Sequence, residues 1–157
     1  MASIRAQLHR NAVALISLAV ALGSLGYNTW RNETTEAQRN IRHAAFRVLE
    51  SLGELQETAD YRYYYLPFEE AVKTEGELRI SGFGNVAMIR DLMNLMPDPA
   101  PQAGLNLHAT WAASVNLLDT VDDEGRHDER ARLAERELTE AVNRARDAVV
   151  AVLKSLE

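Results

Sequence analysis

Apolar and polar positions along this chain form one uninterrupted apolar block followed by a series of helical stripes. Residues 11–30, from Asn11 through Val13, Leu15, Leu18 and Leu22 to Trp30, contain no ionised side chain. About 20 residues rising about 1.5 Å each make a helix about 30 Å long, the thickness of a bilayer's hydrocarbon core. The block therefore predicts a transmembrane anchor over 11–30, with 1–10 as a basic N-terminal flank and 31–157 as a helical domain. Ile41, Ala45, Val48, Leu52, Leu55 and Ala59 then recur at alternating intervals of four and three, one apolar face of a helix running on from the anchor. Leu66-Pro67-Phe68 ends it, because proline has no N–H to donate. A short segment over 68–73 is expected next, with irregular chain at Thr74-Glu-Gly and Ser81-Gly-Phe-Gly.

Asn85 then opens a second helix through Val86, Ile89, Met93 and Met96, closed by Pro97, Pro99 and Pro101. Leu107, Trp111, Ser114, Leu118 and Val121 predict a third over 102–121. Leu138, Val142, Ala145, Val149, Val152 and Leu156 predict a fourth over 127–156. Asp122, Asp123 and Glu124 oppose the dipole of the third helix and are expected to cap the fourth. The fold class is all-α: an N-terminal transmembrane helix followed by an antiparallel, four-helix-like bundle. The same seams would also serve pairing between chains, as in a dimer.

Two other readings of the apolar block stay open. Arg5, Arg10 and Ala19-Val20-Ala21 fit a cleaved signal peptide, and a buried core helix has a similar composition. The anchor is preferred because apolar character continues past Ala21 to an interfacial set. Tyr27 and Trp30 would lie at headgroup depth, with Arg10 and Arg31 just outside the two faces. The side of the membrane is contested. Arg31, Arg39, Arg42 and Arg47 outnumber Arg5 and Arg10, which favours a cytoplasmic domain. The acid-free N-terminal flank, entry as a signal anchor and the absence of cysteine favour a periplasmic one, which is the expectation adopted.

Apolar residues make up 46% of the 157 and aromatics only 6%, so the core is built of Leu, Val and Ala, as packed helices are. A net charge of −6 argues against nucleic acid, which demands a basic face. Arginine heavily outnumbers lysine and alanine is abundant, as in proteins of GC-rich bacteria.

No catalytic constellation emerges. The histidines are His9, His43, His108 and His127, read as surface or capping residues. Glu124-Gly-Arg-His127 is the one Glu-x-x-His pair, and a carboxylate-bridged metal bundle needs two. Aligning Gly125 with the turn glycine of a calcium loop puts Ala131 where a bidentate glutamate belongs. Gly82-Phe83-Gly84 has no lysine-serine continuation to cradle phosphate. No cofactor or metal is expected, and the chain reads as non-enzymatic.

One stretch stands apart from the periodic helices. Tyr61, Tyr63, Tyr64 and Tyr65 are four of the five tyrosines, clustered with Arg62 and Phe68. Such rings either plug the open end of a bundle or form a partner surface, where Tyr and Arg are enriched. The candidate surface is Tyr61, Arg62, Tyr63, Tyr64, Tyr65 and Phe68.

The residues Leu25-Gly-Tyr-Asn-Thr-Trp-Arg-Asn-Glu33, Leu52-Gly-Glu-Leu-Gln56 and Ile89-Arg-Asp-Leu92 resemble a group of small, uncharacterised single-pass proteobacterial inner-membrane proteins. That resemblance implies an inner-membrane setting and an uncleaved anchor, and supplies no activity. A looser similarity, to the four-helix sensing domains of chemoreceptors, lacks their second spanning helix and signalling module. The expected function is a membrane-tethered, non-enzymatic helical interaction module, either an accessory subunit of a membrane complex or a homo-oligomer. Its partners would be the lipid bilayer and a protein or a second copy. The alternative is a small-ligand sensor domain, with the tyrosine-rich corner or the inner core as its pocket.

Overall fold

The computed structural model describes residues 11–68 and 72–156, and among these the chain is all-helical. Four helices follow in order: α1 (Ala12–Tyr64), α2 (Glu75–Met93), α3 (Ala100–Ser114) and α4 (Glu129–Ser155). The remaining pairing is an isolated antiparallel bridge between Val121 and His127. The basic flank over 1–10, Arg10 included, lies outside the described residues, as does much of the segment expected over 68–73.

The chain divides into two compact units, Met1–Asn40 and Ile41–Glu157. In the first, α1 carries the apolar block, with Val13, Ile16, Val20, Leu22 and Leu25 each more than half exposed. By length and composition this helix can cross a membrane. No new helix starts at Asn32 or Thr34. The Thr34 and Thr35 hydroxyls instead donate to the carbonyls of Trp30 and Arg31 one turn back, both at 2.9 Å, and α1 continues through them.

In the second unit the apolar stripes meet in one core. Ala45, Val48, Leu52, Leu55 and Ala59 of α1 join Val86, Ile89 and Met93 of α2, Leu107 and Trp111 of α3, and Leu138, Val142, Ala145, Val149 and Val152 of α4. Polar contacts fix register at the margins of this core. Arg42 Nη2 donates to the Leu156 carbonyl at 2.8 Å, and Gln56 Nε2 to Thr139 Oγ1 at 3.3 Å. Residue numbers therefore rise along α1 as they fall along its contacts on α4.

Three expectations are corrected. The stretch containing Gly76, Gly82 and Gly84 is helical, and α2 starts ten residues earlier than Asn85. A reciprocal cap supplies the start: Glu77 N donates to Thr74 Oγ1 at 3.3 Å, and Thr74 N donates to Glu77 Oε2 at 2.8 Å. Gly82 is there for contact, because a Cβ on it would overlap the Trp111 indole. The third helix is shorter than its stripe, ending at Ser114, although Val115 and Leu118 remain fully buried in the turn beyond. The cap of α4 is Asp128, whose Oδ1 accepts from Ala131 N at 2.8 Å. Asp122 instead organises the turn, accepting from Glu124 N and Arg126 N at 2.9 Å each around Gly125. Gly125 has φ +74°, a conformation that side-chain-bearing residues rarely adopt.

Two caps and the Asp122 turn should lose stabilising contacts in acid. The Thr74 N–H, then its hydroxyl, hold Glu77 below its ordinary range; the Arg126 N–H does so for Asp122, and the Ala131 N–H for Asp128. Each folded value lies below the unfolded one. The stabilisation is therefore present above the unfolded values, 4.5 for Glu and 3.8 for Asp, and is lost as pH falls through the folded ones. The melting deficit of Asp128→Ala should be largest near neutrality and shrink below about pH 4. Thr74→Ala should cost about 1 kcal/mol in denaturant titrations.

Candidate functional site

The tyrosine-rich stretch is where α1 stops. Tyr65 N and Leu66 N both donate to the Tyr61 carbonyl, at 3.0 and 3.1 Å, and Pro67 has no N–H with which to extend the ladder. Helical geometry turns each successive residue by about 100°, so the tyrosines spread around the helix end and residues four apart meet. Tyr61 and Tyr65 stack with centroids 5.2 Å apart. Tyr63 leaves on another side and stacks on His127 at 3.8 Å and 13°, while Tyr64 presents an edge contact to Tyr63 at 4.8 Å. Phe68 closes on the same histidine edge-on at 5.8 Å.

Arg62 points inward. It is 1% exposed, and its Nη2 donates to Asp119 Oδ2 at 2.9 Å, so it is no part of a partner surface. Its neighbours in sequence reach solvent because the helix rotates them away from the core. Tyr61 and Tyr63 are half-buried, while Tyr64, Tyr65 and Phe68 keep 56%, 50% and 43% of their surface exposed. Burial, and after it the Glu135 carboxylate, push the Tyr63 phenol above its ordinary value.

Three residues complete the corner that sequence periodicity did not reveal: Asp119, His127 and Lys73. His127 was expected at the surface or as a cap. Its two ring nitrogens are instead buried, without a hydrogen-bond partner among the described residues, under the rings of Tyr63 and Phe68. Lys73 places its ammonium 5.2 Å from the Tyr61 ring centroid and 3.2 Å from Glu57 Oε1. The Tyr61 hydroxyl oxygen accepts from Val72 N at 2.7 Å and Lys73 N at 3.0 Å, pinning that strand of chain to the helix end.

The residues expected at the membrane interface lie on α1 in the first unit. Tyr27 and Trp30 are 59% and 63% exposed, with tilted rings 6.1 Å apart, and Arg31 follows them, also exposed. Among the described residues no three His, Asp or Glu side chains converge in a way that could hold a metal ion. The corner presents aromatic faces fixed by stacking, with the Glu57 carboxylate paired to Lys73 beside them. No known protein family, curated protein or solved structure matches this chain.

Proposed function

We propose that this chain is a single-pass bacterial inner-membrane protein in which residues 11–30 anchor an antiparallel four-helix domain that binds another protein. It works by non-enzymatic interaction, either as an accessory subunit of a membrane complex or through a second copy. The observation that carries this reading is the exposure of Tyr64, Tyr65 and Phe68 as a group, beside rings already immobilised by stacking. Rings fixed in place lose little entropy on contact, which is why Tyr recurs at binding hot spots. The rising and falling numbering of the Arg42–Leu156 and Gln56–Thr139 contacts supports the antiparallel arrangement. The interfacial pair Tyr27 and Trp30, followed by Arg31, supports the anchor.

Crosslinking in native membranes, then detergent extraction and size analysis, tests the reading. A stable assembly containing this chain is expected, and a strictly monomeric species with no crosslinked partner would overturn it. A periplasmic domain is proposed from the acid-free basic flank. C-terminal alkaline phosphatase fusions should be active and green fluorescent protein fusions dark.

A ligand-sensing role has one observation in its favour, a cavity of about 270 Å³ lined by Thr58, Lys73, Glu77, Leu78 and Ser81. A small molecule seated there at 100 times its dissociation constant would add about 2.7 kcal/mol of stability, which a thermal-shift screen would register.

A further inference from the structure

The partner surface has a chemical preference. Resting on the reading of this corner as a protein-binding site, we infer that it recognises a basic segment, rich in arginine or lysine, of the partner protein.

Two independent features converge on that chemistry. The first is that the corner already holds a cation. The Lys73 ammonium sits over the Tyr61 ring and beside Glu57, so one tyrosine face and one carboxylate together accommodate a positive charge. The neighbouring rings present the same surface type to solvent, about half of each exposed among the described residues: Tyr65, stacked on Tyr61, and Tyr64, braced edge-on by Tyr63.

The second feature is the charge around the rings. The described residues of the stretches that build the corner, 57–68, 72–73 and 119–137, include ten acidic residues against six basic ones. Arg62, Lys73, Arg126 and Arg130 are ion-paired to Asp119, Glu57, Asp122 with Glu124, and Asp128, which leaves Asp60, Asp123, Glu129, Glu135 and Glu137 against Arg132 and Arg136 outside the ion pairs of the described residues. Asp123 and Glu124 are exposed on the turn that His127 ties to Tyr63. A guanidinium suits such a place, since it can lie flat on a tyrosine face and reach a carboxylate through its edge. An acidic or purely apolar segment would meet repulsion or uncompensated carboxylates.

The test uses the full chain in nanodiscs of zwitterionic lipid, which removes attraction of cations to the bilayer. A fluorescently labelled hexa-arginine peptide is titrated by anisotropy, with hexa-glutamate as counterpart. Hexa-arginine should bind and hexa-glutamate should not. Tyr64→Ala combined with Tyr65→Ala should weaken binding about tenfold or more, whereas the paired Phe substitutions, which keep the ring faces, should stay within about threefold. Glu50→Gln, about four turns from Tyr64 along the same helix, should change it less than about twofold. Melting curves confirm that each variant is folded.

Loss of binding with salt but not with ring removal would overturn the inference, because attraction to diffuse negative charge would then suffice. No binding of hexa-arginine, or equal binding of hexa-glutamate, would overturn it too. If crosslinked assemblies persist in that case, the protein-binding reading survives and only the basic-segment preference falls; if they are also absent, both fall.

Discussion

Asp119→Ala is expected to destabilise the helical domain by about 3 kcal/mol, the largest effect of any single truncation outside its apolar core. Arg62 is 1% exposed and Asp119 is its ion-pair partner, while Arg62 Nε and Nη1 are buried without hydrogen-bond partners among the described residues. Removing the carboxylate leaves a full positive charge inside the fold with no counter-ion. The guanidinium must remain buried and unpaired, or drag the end of α1 open to reach water. The reverse substitution is milder. Arg62→Met fills much of the same volume with apolar atoms and leaves Asp119, whose side chain is 21% exposed, within reach of solvent. Its cost should stay below about 1.5 kcal/mol. Chemical denaturation of the full chain in detergent measures both. Equal losses for the two variants would show that the pair matters only for packing.

Gly82→Ala should cost about 2 kcal/mol, and Gly84→Ala should gain up to about 1 kcal/mol, although both lie in α2. Alanine is the better helix former at each position, so propensity alone predicts a gain twice. Tertiary contact separates them. A Cβ at Gly82 would overlap Trp111 Cζ2 and come within 2.7 Å of Cη2, on a ring that is fully buried; at Gly84 nothing lies within 4 Å. The double substitution with Trp111→Phe should recover part of the Gly82→Ala loss, since phenylalanine lacks the ring carbons that collide. A purely additive double mutant would place the strain elsewhere.

The tyrosine-rich corner shows how far local sequence reaches. The clustering of Tyr61, Tyr63, Tyr64, Tyr65 and Phe68 is visible in the sequence, but the inward turn of Arg62 is not. That depends on Asp119, 57 residues away in sequence, reaching it across the fold. His127 reads as a surface residue for the same reason, because its cover comes from Tyr63 and Phe68 on a distant stretch. The glycines of α2 mislead in a related way. Gly76, Gly82 and Gly84 look like breakers when each is judged by its own backbone freedom. The Thr74–Glu77 cap and the Trp111 contact favour helix together. The cap was within reach of sequence, since Thr-x-x-Glu carries its signature; the indole contact was not.

By itself the sequence determined the helical class, the apolar block long enough to cross a bilayer and the faces that α1 and α4 bury. Each of these rests on periodicity or length, which are properties of neighbours along the chain. Tertiary structure decided which tyrosines face water, which arginine goes inside, which acids cap and which merely shape a turn, and that Gly82 is a notch for Trp111. Those outcomes arise from contacts between residues far apart in the chain. No local pattern encodes them, because burial and pairing energies exist only once the distant partner is in place.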